Sequence, residues 1–131
     1  MNTHPPISVL VVDDNADLAQ SMAWLLEIYG YAVRVALSGA DALAAVADAP
    51  PAVAFVDIMM PRMDGYELTR RLREDCGGDV FVVIMSGRGA AADVRRSHEA
   101  GANLHLIKPI APADLAGVLQ AYRDGALLAP A

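Results

Sequence analysis

The sequence has one cysteine, Cys76, a deficit of basic residues and no long hydrophobic run. A single cysteine cannot form a disulfide within the chain, and a free thiol fits a reducing compartment, so we expect a cytoplasmic protein. The chain has 10 basic and 16 acidic residues, a net charge of −6. This balance argues against a protein that binds a nucleic acid backbone.

The hydrophobic runs are too short to cross a membrane. The two longest, residues 7–12 and 80–85, fall far short of the ~20 apolar residues that a spanning helix needs. Residues 1–6 are polar and proline-containing, without a basic region followed by an apolar core, which argues against a secretory signal. We interpret them as a flexible N-terminus in front of one domain, since 131 residues fit a single core.

Apolar, β-branched segments alternate with segments of helical periodicity along the chain. Five strands alternating with five helices predict an α/β fold, in which a parallel sheet is covered by helices on both faces. Apolar runs without strict alternation are typical of strands buried on both sides. The predicted strands are 7–12, 32–36, 52–56, 80–85 and 103–107, and the predicted helices are 15–29, 39–49, 65–74, 91–100 and 112–122.

Helical spacing also predicts where several side chains lie. Leu18 falls on the apolar face of the first helix, and Trp24 of the same helix is expected to be partly buried. Arg70, Arg71 and Arg73 form a short basic run on the third helix, which we interpret as a solvated helix face.

Polar side chains follow four of the five predicted strands. Asp13 and Asp14 follow the first strand and Asp57 the third, while Ser86 follows the fourth and Lys108 the fifth. Ligands of such sheets bind beyond the carboxyl ends of the strands. We therefore expect three carboxylates, one hydroxyl and one ammonium to meet at one edge of the sheet.

This set of groups favours metal-assisted phosphoryl transfer. Crowded carboxylates repel one another and need a cation, and their hard oxygen atoms select Mg²⁺ or Mn²⁺. A metal ion and the ammonium of Lys108 would stabilise phosphoryl oxygens, so that a carboxylate can act as the nucleophile. A single Asp after a strand is more often a turn or cap residue, but the joint placement with Lys108 is much harder to obtain by chance.

Five segments carry a common pattern: VVDD (11–14), VDIMMPRMDG (56–65), MSG (85–87), AGA (100–102) and KP (108–109). In this order and spacing they resemble the motifs of the two-component response regulator receiver family, the CheY-like receivers. The resemblance implies a flavodoxin-like, doubly wound sheet of five parallel strands in the order 2-1-3-4-5, with a receiver domain at 7–122 and a C-terminal tail at 123–131.

The resemblance implies an acceptor and a metal site. Asp57 would accept the phosphoryl group, and Asp14 would bind Mg²⁺ directly, while Asp13 would bind it mainly through water. The metal ion would also bind Asp57 and the backbone carbonyl of Met59.

The resemblance assigns roles to four further residues, and Gly65 by its own residue type is expected to form a turn near the acceptor loop. Ser86 would bind a phosphoryl oxygen and move on activation, and Lys108 would bind another. Lys108-Pro109 would be a cis peptide. The second switch position, usually Tyr or Phe, is His105 here. A half-buried polar residue on an edge strand is the alternative interpretation of this histidine.

The implied function is a phosphorylation-controlled switch, not an enzyme that acts on a metabolite. A histidine kinase or histidine phosphotransfer protein would donate the phosphoryl group. The face formed by helix four, strand five and helix five would then change to control a downstream protein. We expect no nucleic acid or membrane partner, and a monomer or weak dimer. Residues 123–131 are too few for an output domain, so a stand-alone regulator follows if the chain is the entire gene product.

Four alternatives remain open. The chain could be the receiver domain of a longer hybrid kinase or regulator. The second alternative is a phosphatase with an aspartate nucleophile. Such enzymes usually need an acid-base Asp two residues after the nucleophile, and Met59 at this position counts against the alternative. A binding module that never uses phosphate is the third alternative. The fourth is a flavin-binding protein, whose cofactor phosphate would be repelled by Asp13 and Asp14.

Overall fold

The computed structural model describes residues 6–125. Most of the expected flexible N-terminus (1–6) and of the expected C-terminal tail (123–131) therefore lies outside the described residues. Every predicted strand and helix is present, with bounds that differ by no more than one or two residues. The elements are β1 (Ser8–Val12), α1 (Ala16–Ile28), β2 (Ala32–Ala36), α2 (Gly39–Asp48), β3 (Val53–Asp57), α3 (Gly65–Cys76), β4 (Phe81–Ser86), α4 (Ala91–Ala100), β5 (Leu104–Ile107) and α5 (Pro112–Arg123).

The strands form one parallel sheet in the order β2-β1-β3-β4-β5, which confirms the predicted fold class. The strand order reverses between β1 and β3, so the carboxyl ends of these two strands flank the crevice where such folds bind ligands. Val12 of β1 pairs with Val56 of β3. The next residues, Asp13 just after β1 and Asp57 at the end of β3, consequently lie side by side.

The sheet separates two hydrophobic layers, because successive side chains of a strand point to opposite faces. Leu10 packs in one layer with Leu68 and Leu72 of α3. Val9 packs in the other layer with Leu26 of α1 and Leu119 of α5. Since β1, β3 and β4 are covered on both faces, their sequences are almost uninterrupted apolar runs.

Helix α1 faces the sheet with a stripe that only partly matches the one its helical spacing indicated, since Leu26 is buried and Met22 and Leu25 pack against the core, but Leu18 does not. Its buried residues are Ala19, Ala23 and Leu26. Leu18 is 56% exposed and Trp24 is 62% exposed, so the predictions that Leu18 lies on the core-facing side and that Trp24 is partly buried were wrong. Leu18 and Trp24 lie outside the buried stripe of Ala19, Ala23 and Leu26 and therefore face outward. No helix within residues 6–125 combines the length and apolarity required to cross a lipid bilayer.

Candidate functional site

The structure brings three carboxylates together beyond the carboxyl ends of β1 and β3. One carboxylate oxygen from each of Asp13, Asp14 and Asp57 lies within 4.8 Å of the other two. Asp13 and Asp57 are buried, whereas Asp14 is exposed. The cluster is thus anchored in the sheet and open to solvent on one side, an arrangement that could hold a metal ion.

Lys108 completes the cluster from the end of β5. Its Nζ donates to Asp57 Oδ1 at 2.8 Å and to Asp13 Oδ2 at 3.3 Å. Its backbone N–H donates to Ser86 O at 2.7 Å, which holds the segment after β5 against the end of β4. The Lys108-Pro109 peptide bond is cis, as the resemblance implies. Lys108 is also the only lysine in the sequence.

The charges of the cluster do not balance without a cation. Burial raises the pKa of Asp57 above its ordinary value, and the charges of Asp13 and Asp14 act in the same direction, while Lys108 acts against them. Burial disfavours the Lys108 ammonium, but the hydrogen bond and charge of Asp57 outweigh it and raise the pKa of Lys108. Three carboxylates and one ammonium sum to −2, and a small divalent cation that prefers oxygen ligands matches both the charge and the donor set.

Ser86 lies at the end of β4 and is 3% exposed. Its Oγ accepts a hydrogen bond from the backbone N–H of Arg88 at 3.0 Å. Met59 follows Asp57 by two residues and has a highly exposed side chain, and its backbone carbonyl as a metal ligand stays a prediction. Ser86, Met59 and Arg88 line one groove of about 690 Å³.

A second groove, of about 500 Å³, lies on the other side of the cluster, beside Lys108. Its wall is mainly apolar and includes Leu18 and Met22 of α1 and Ile110 from the segment before α5. Sequence reasoning missed this groove because it placed Leu18 in the core. The signal that was available is the alanine stripe of α1, which leaves Leu18 one position away from the buried face.

His105 occupies a half-buried position on the edge strand β5. Its Nδ1 lies 2.7 Å from Ser97 Oγ, and its Nε2 lies 2.8 Å from the carbonyl oxygen of Arg88. Both partners belong to the side of the molecule that carries α4. The proposed switch role of His105 stays a prediction, and the pairing with Ser97 had no counterpart in the sequence analysis.

Gly65 begins α3 directly behind the Asp57 backbone. Its N–H donates to Ile58 O at 3.0 Å. A Cβ atom at this position would lie 2.5 Å from Asp57 O and 2.8 Å from the Ile58 Cα. Because these contacts are with backbone atoms that cannot move aside, only glycine lets α3 approach the acceptor segment this closely.

We expect Gly65→Ala to lower the free energy of unfolding by roughly 2 kcal/mol, since overpacking forces the backbone to shift. Urea denaturation measures the change. Gly117→Ala is the matched control, because a Cβ at Gly117 in α5 meets nothing within 4 Å. This control should stabilise the protein by about 0.5–1 kcal/mol through its higher helix propensity. Equal effects of the two substitutions would contradict the close-approach argument.

Comparison with protein families matches residues 9–120 to the response regulator receiver domain. Response regulator MprA of Mycobacterium sp. (strain KMS) is 34% identical over 116 residues, which cover 88% of this chain and 50% of MprA. Protein PilG of Pseudomonas aeruginosa is 32% identical over 117 residues, which cover 88% of this chain and 87% of PilG. The chain thus spans about half the length of MprA and most of the length of PilG.

Two solved structures show the same fold. The chemotaxis protein CheY4 of Vibrio cholerae superposes with a TM-score of 0.83 at 28% identity, covering 88% of this chain and 97% of CheY4. A CheY-like response regulator receiver domain protein from Methanospirillum hungatei superposes with a TM-score of 0.85 at 28% identity, covering 92% of this chain and 95% of that protein. In both comparisons the similarity extends over nearly the whole chain.

Proposed function

The chain belongs to the response regulator receiver domain family, and from this premise we propose that it is a phosphorylation-dependent signalling switch with Asp57 as the phosphoryl acceptor. The observation that carries the proposal is the contact between Lys108 Nζ and Asp57 Oδ1 at 2.8 Å, beside the carboxylates of Asp13 and Asp14. Response regulators are signalling proteins and not enzymes in the usual sense, so the chemistry is confined to the protein's own acceptor.

The acceptor reaction requires a nucleophilic carboxylate in a site that tolerates a second anion. An oxygen of Asp57 would attack the phosphorus atom of the donor, forming an O–P bond as the bond from phosphorus to the donor breaks. Asp13, Asp14 and Asp57, with the backbone carbonyl of Met59, would hold Mg²⁺, or Mn²⁺ as the alternative, whose charge offsets that of the phosphoryl oxygens.

Two side chains would bind the new phosphoryl group. Lys108 would move its ammonium from the Asp57 carboxylate to a phosphoryl oxygen, and Ser86 would donate its hydroxyl to another. Ser86 Oγ now accepts from the Arg88 N–H, so its movement would displace the loop after β4. We propose that this displacement changes the face formed by α4, β5 and α5, which controls a downstream protein.

The second groove supports a protein as the phosphoryl donor. Its apolar wall, including exposed Leu18, lies directly beside Lys108, where a partner can bury apolar surface and bring its phosphoryl group to Asp57. We propose a histidine kinase or histidine phosphotransfer protein as this donor, in the cytoplasm, without a nucleic acid or membrane partner. Because the chain spans only half of MprA, both a stand-alone regulator and a receiver within a longer protein remain candidates.

Incubation with acetyl phosphate and Mg²⁺, followed by intact mass measurement, tests the proposal. We expect one added phosphoryl group, which is absent when Mg²⁺ is chelated. Hydroxylamine should remove it, because it cleaves acyl phosphates and leaves phosphoserine intact. A product that resists hydroxylamine would contradict the assignment to a carboxylate. Uptake that does not depend on a divalent ion would contradict the proposed metal site.

A further inference from the structure

One face of helix α1 points into solvent and carries exposed apolar side chains. Trp24 is 62% exposed and Ile28 is 79% exposed. Asp17 and Ser21 of the same helix are exposed as well. Because an α-helix turns by about 100° per residue, these four positions form one stripe, on the side of α1 opposite the buried Ala19. We call this stripe the outer seam of α1.

The residues of the outer seam have the spacing of a stripe that pairs with another helix. Successive seam residues are separated by four, three and four positions, the alternation with which two helices meet along a coiled-coil interface. Helix α1 already buries a different face against its own sheet, so a second apolar stripe is not needed for the fold. The spacing therefore indicates that a helix from outside the domain packs here.

The order of side chains within the outer seam favours a second copy of the same chain. If two α1 helices pack antiparallel about a two-fold axis, Trp24 of each copy faces Ser21 of the other, so that a large side chain meets a small one at both places. The same register sets Asp17 of one copy beside Ile28 of the other, at the C-terminal end of the helix. Antiparallel packing also brings opposite ends of the two helix dipoles together.

A cation lies at the end of α1 where the Asp17 carboxylate of a second copy would arrive. Helix α1 itself contains no basic residue. The Arg123 guanidinium lies 5.1 Å from the centre of the Tyr31 ring, and Tyr31 follows the end of α1 by three residues. Arg123 is exposed, so its charge is accessible to a partner. An exposed ion pair adds little affinity, but this complementarity favours the antiparallel register over the parallel one.

We propose that two copies of this chain associate through the outer seams of their α1 helices. Trp24 lies at the centre of the contact and is of the residue type that most often dominates such interfaces. Helix α1 has 13 residues and is roughly 20 Å long, so the contact is smaller than the ~1,200 Å² that stable complexes bury. We therefore expect a weak, reversible dimer with a dissociation constant on the order of 0.1 mM.

Sedimentation equilibrium of the full chain between about 10 µM and about 1 mM tests the proposal, because mass action makes association depend on concentration. The buffer should contain about 0.15 M salt, which screens the repulsion between the acidic chains. The average mass should rise from that of a monomer toward that of a dimer. Trp24 is the only tryptophan in the sequence, so its fluorescence emission should move to shorter wavelength over the same range. A mass that stays monomeric, or an emission that does not change with concentration, would overturn the proposal.

Substitutions at exposed positions identify the face that associates. Trp24→Ala and Ile28→Ser should each weaken association by about tenfold or more, since each removes apolar area from the contact. Ile107→Ser is the matched control, because Ile107 is also an exposed apolar residue, at 54%, but lies on β5. This control should associate like the wild-type protein. Association that is lost in Ile107→Ser and kept in Trp24→Ala would place the contact on another face and overturn the proposal.

Ser21→Phe tests the register of the two helices. The added ring increases the exposed apolar area, so non-specific association would become stronger. In the antiparallel register the ring would collide with Trp24 of the second copy, so we expect association to weaken by about tenfold or more. Stronger association of Ser21→Phe would overturn the proposed packing.

The inference does not depend on the proposed phosphorylation of Asp57. The dimer should form without Mg²⁺ and without a phosphoryl donor, and Asp57→Asn should associate like the wild-type protein. A dimer that forms only after incubation with acetyl phosphate would overturn the assignment to α1. Absence of acetyl phosphate labelling in the wild-type protein would instead contradict the proposed function, so the two failures are distinguishable.

Discussion

Asp57→Asn is expected to take up no phosphoryl group from acetyl phosphate under conditions that label the wild-type protein fully. The amide has nearly the shape of the carboxylate, and its oxygen can still accept from Lys108, which now lies 2.8 Å from Asp57 Oδ1. It lacks the negative charge that makes the oxygen nucleophilic, and it removes one anionic metal ligand. We expect the labelling rate to fall on the order of 10³-fold or more, as for the loss of other nucleophiles.

Two variants separate loss of the acceptor from indirect effects. Asp48→Asn makes the same chemical change at an exposed position at the end of α2, and it should be labelled like the wild type. Lys108→Ala keeps the Asp57 carboxylate, so we expect it to retain labelling but to lose much of the change in the face formed by α4, β5 and α5. Full labelling of Asp57→Asn would show that another carboxylate, such as Asp13 or Asp14, is the acceptor.

The residues of the carboxylate cluster could be predicted from the sequence because two local rules place them. Strands buried on both faces are recognisable as apolar runs, and parallel strands end at a common edge. Asp13 and Asp57 each follow such a run, and Lys108 follows the shorter edge strand β5, so their proximity required only the correct fold class. Their charges then indicated the metal and phosphoryl chemistry without any knowledge of the loops.

The contacts around α4 could not be predicted in this way. Ser97 and His105 meet because a helix packs across an edge strand, and Ser97 belongs to no motif with a characteristic spacing. Leu18 illustrates the same limit, since helical periodicity gives a stripe but not its rotation about the helix axis. The interpretation of Arg73 as part of a solvated basic run was wrong for a related reason: Arg70 and Arg71 are exposed, whereas Arg73 is half-buried.

Arg73→Ala is expected to lower the free energy of unfolding by about 3 kcal/mol. The substitution removes a charged donor and leaves its oxygen acceptors without a hydrogen-bond partner. The guanidinium of Arg73 donates to three backbone carbonyls and to one side-chain amide oxygen. Burial lowers the pKa of Arg73, but the four acceptors compensate for the lost hydration. The acceptors are Gly101 O at 2.7 Å, Gly77 O at 2.8 Å, Val80 O at 2.6 Å and Asn103 Oδ1 at 2.6 Å.

Arg73→Lys tests whether the geometry of the guanidinium or its positive charge is responsible for the stabilisation. A single ammonium cannot reach acceptors that a planar guanidinium holds on several sides, so the lysine variant should recover only part of the lost stability. Arg70→Ala, on the exposed face of the same helix, should change the stability by no more than about 0.5 kcal/mol. Urea denaturation with unchanged m values measures all three variants.

The position of Arg73 also predicts which property should survive the substitution. Its acceptors Val80 and Asn103 lie just before β4 and β5, whereas Asp57 lies at the opposite, carboxyl edge of the sheet. Arg73→Ala should therefore destabilise the fold and still take up one phosphoryl group from acetyl phosphate while folded. Normal stability of Arg73→Ala would show that the guanidinium contacts contribute little to folding. A folded Arg73→Ala protein that cannot be labelled would show that the two edges of the sheet are coupled.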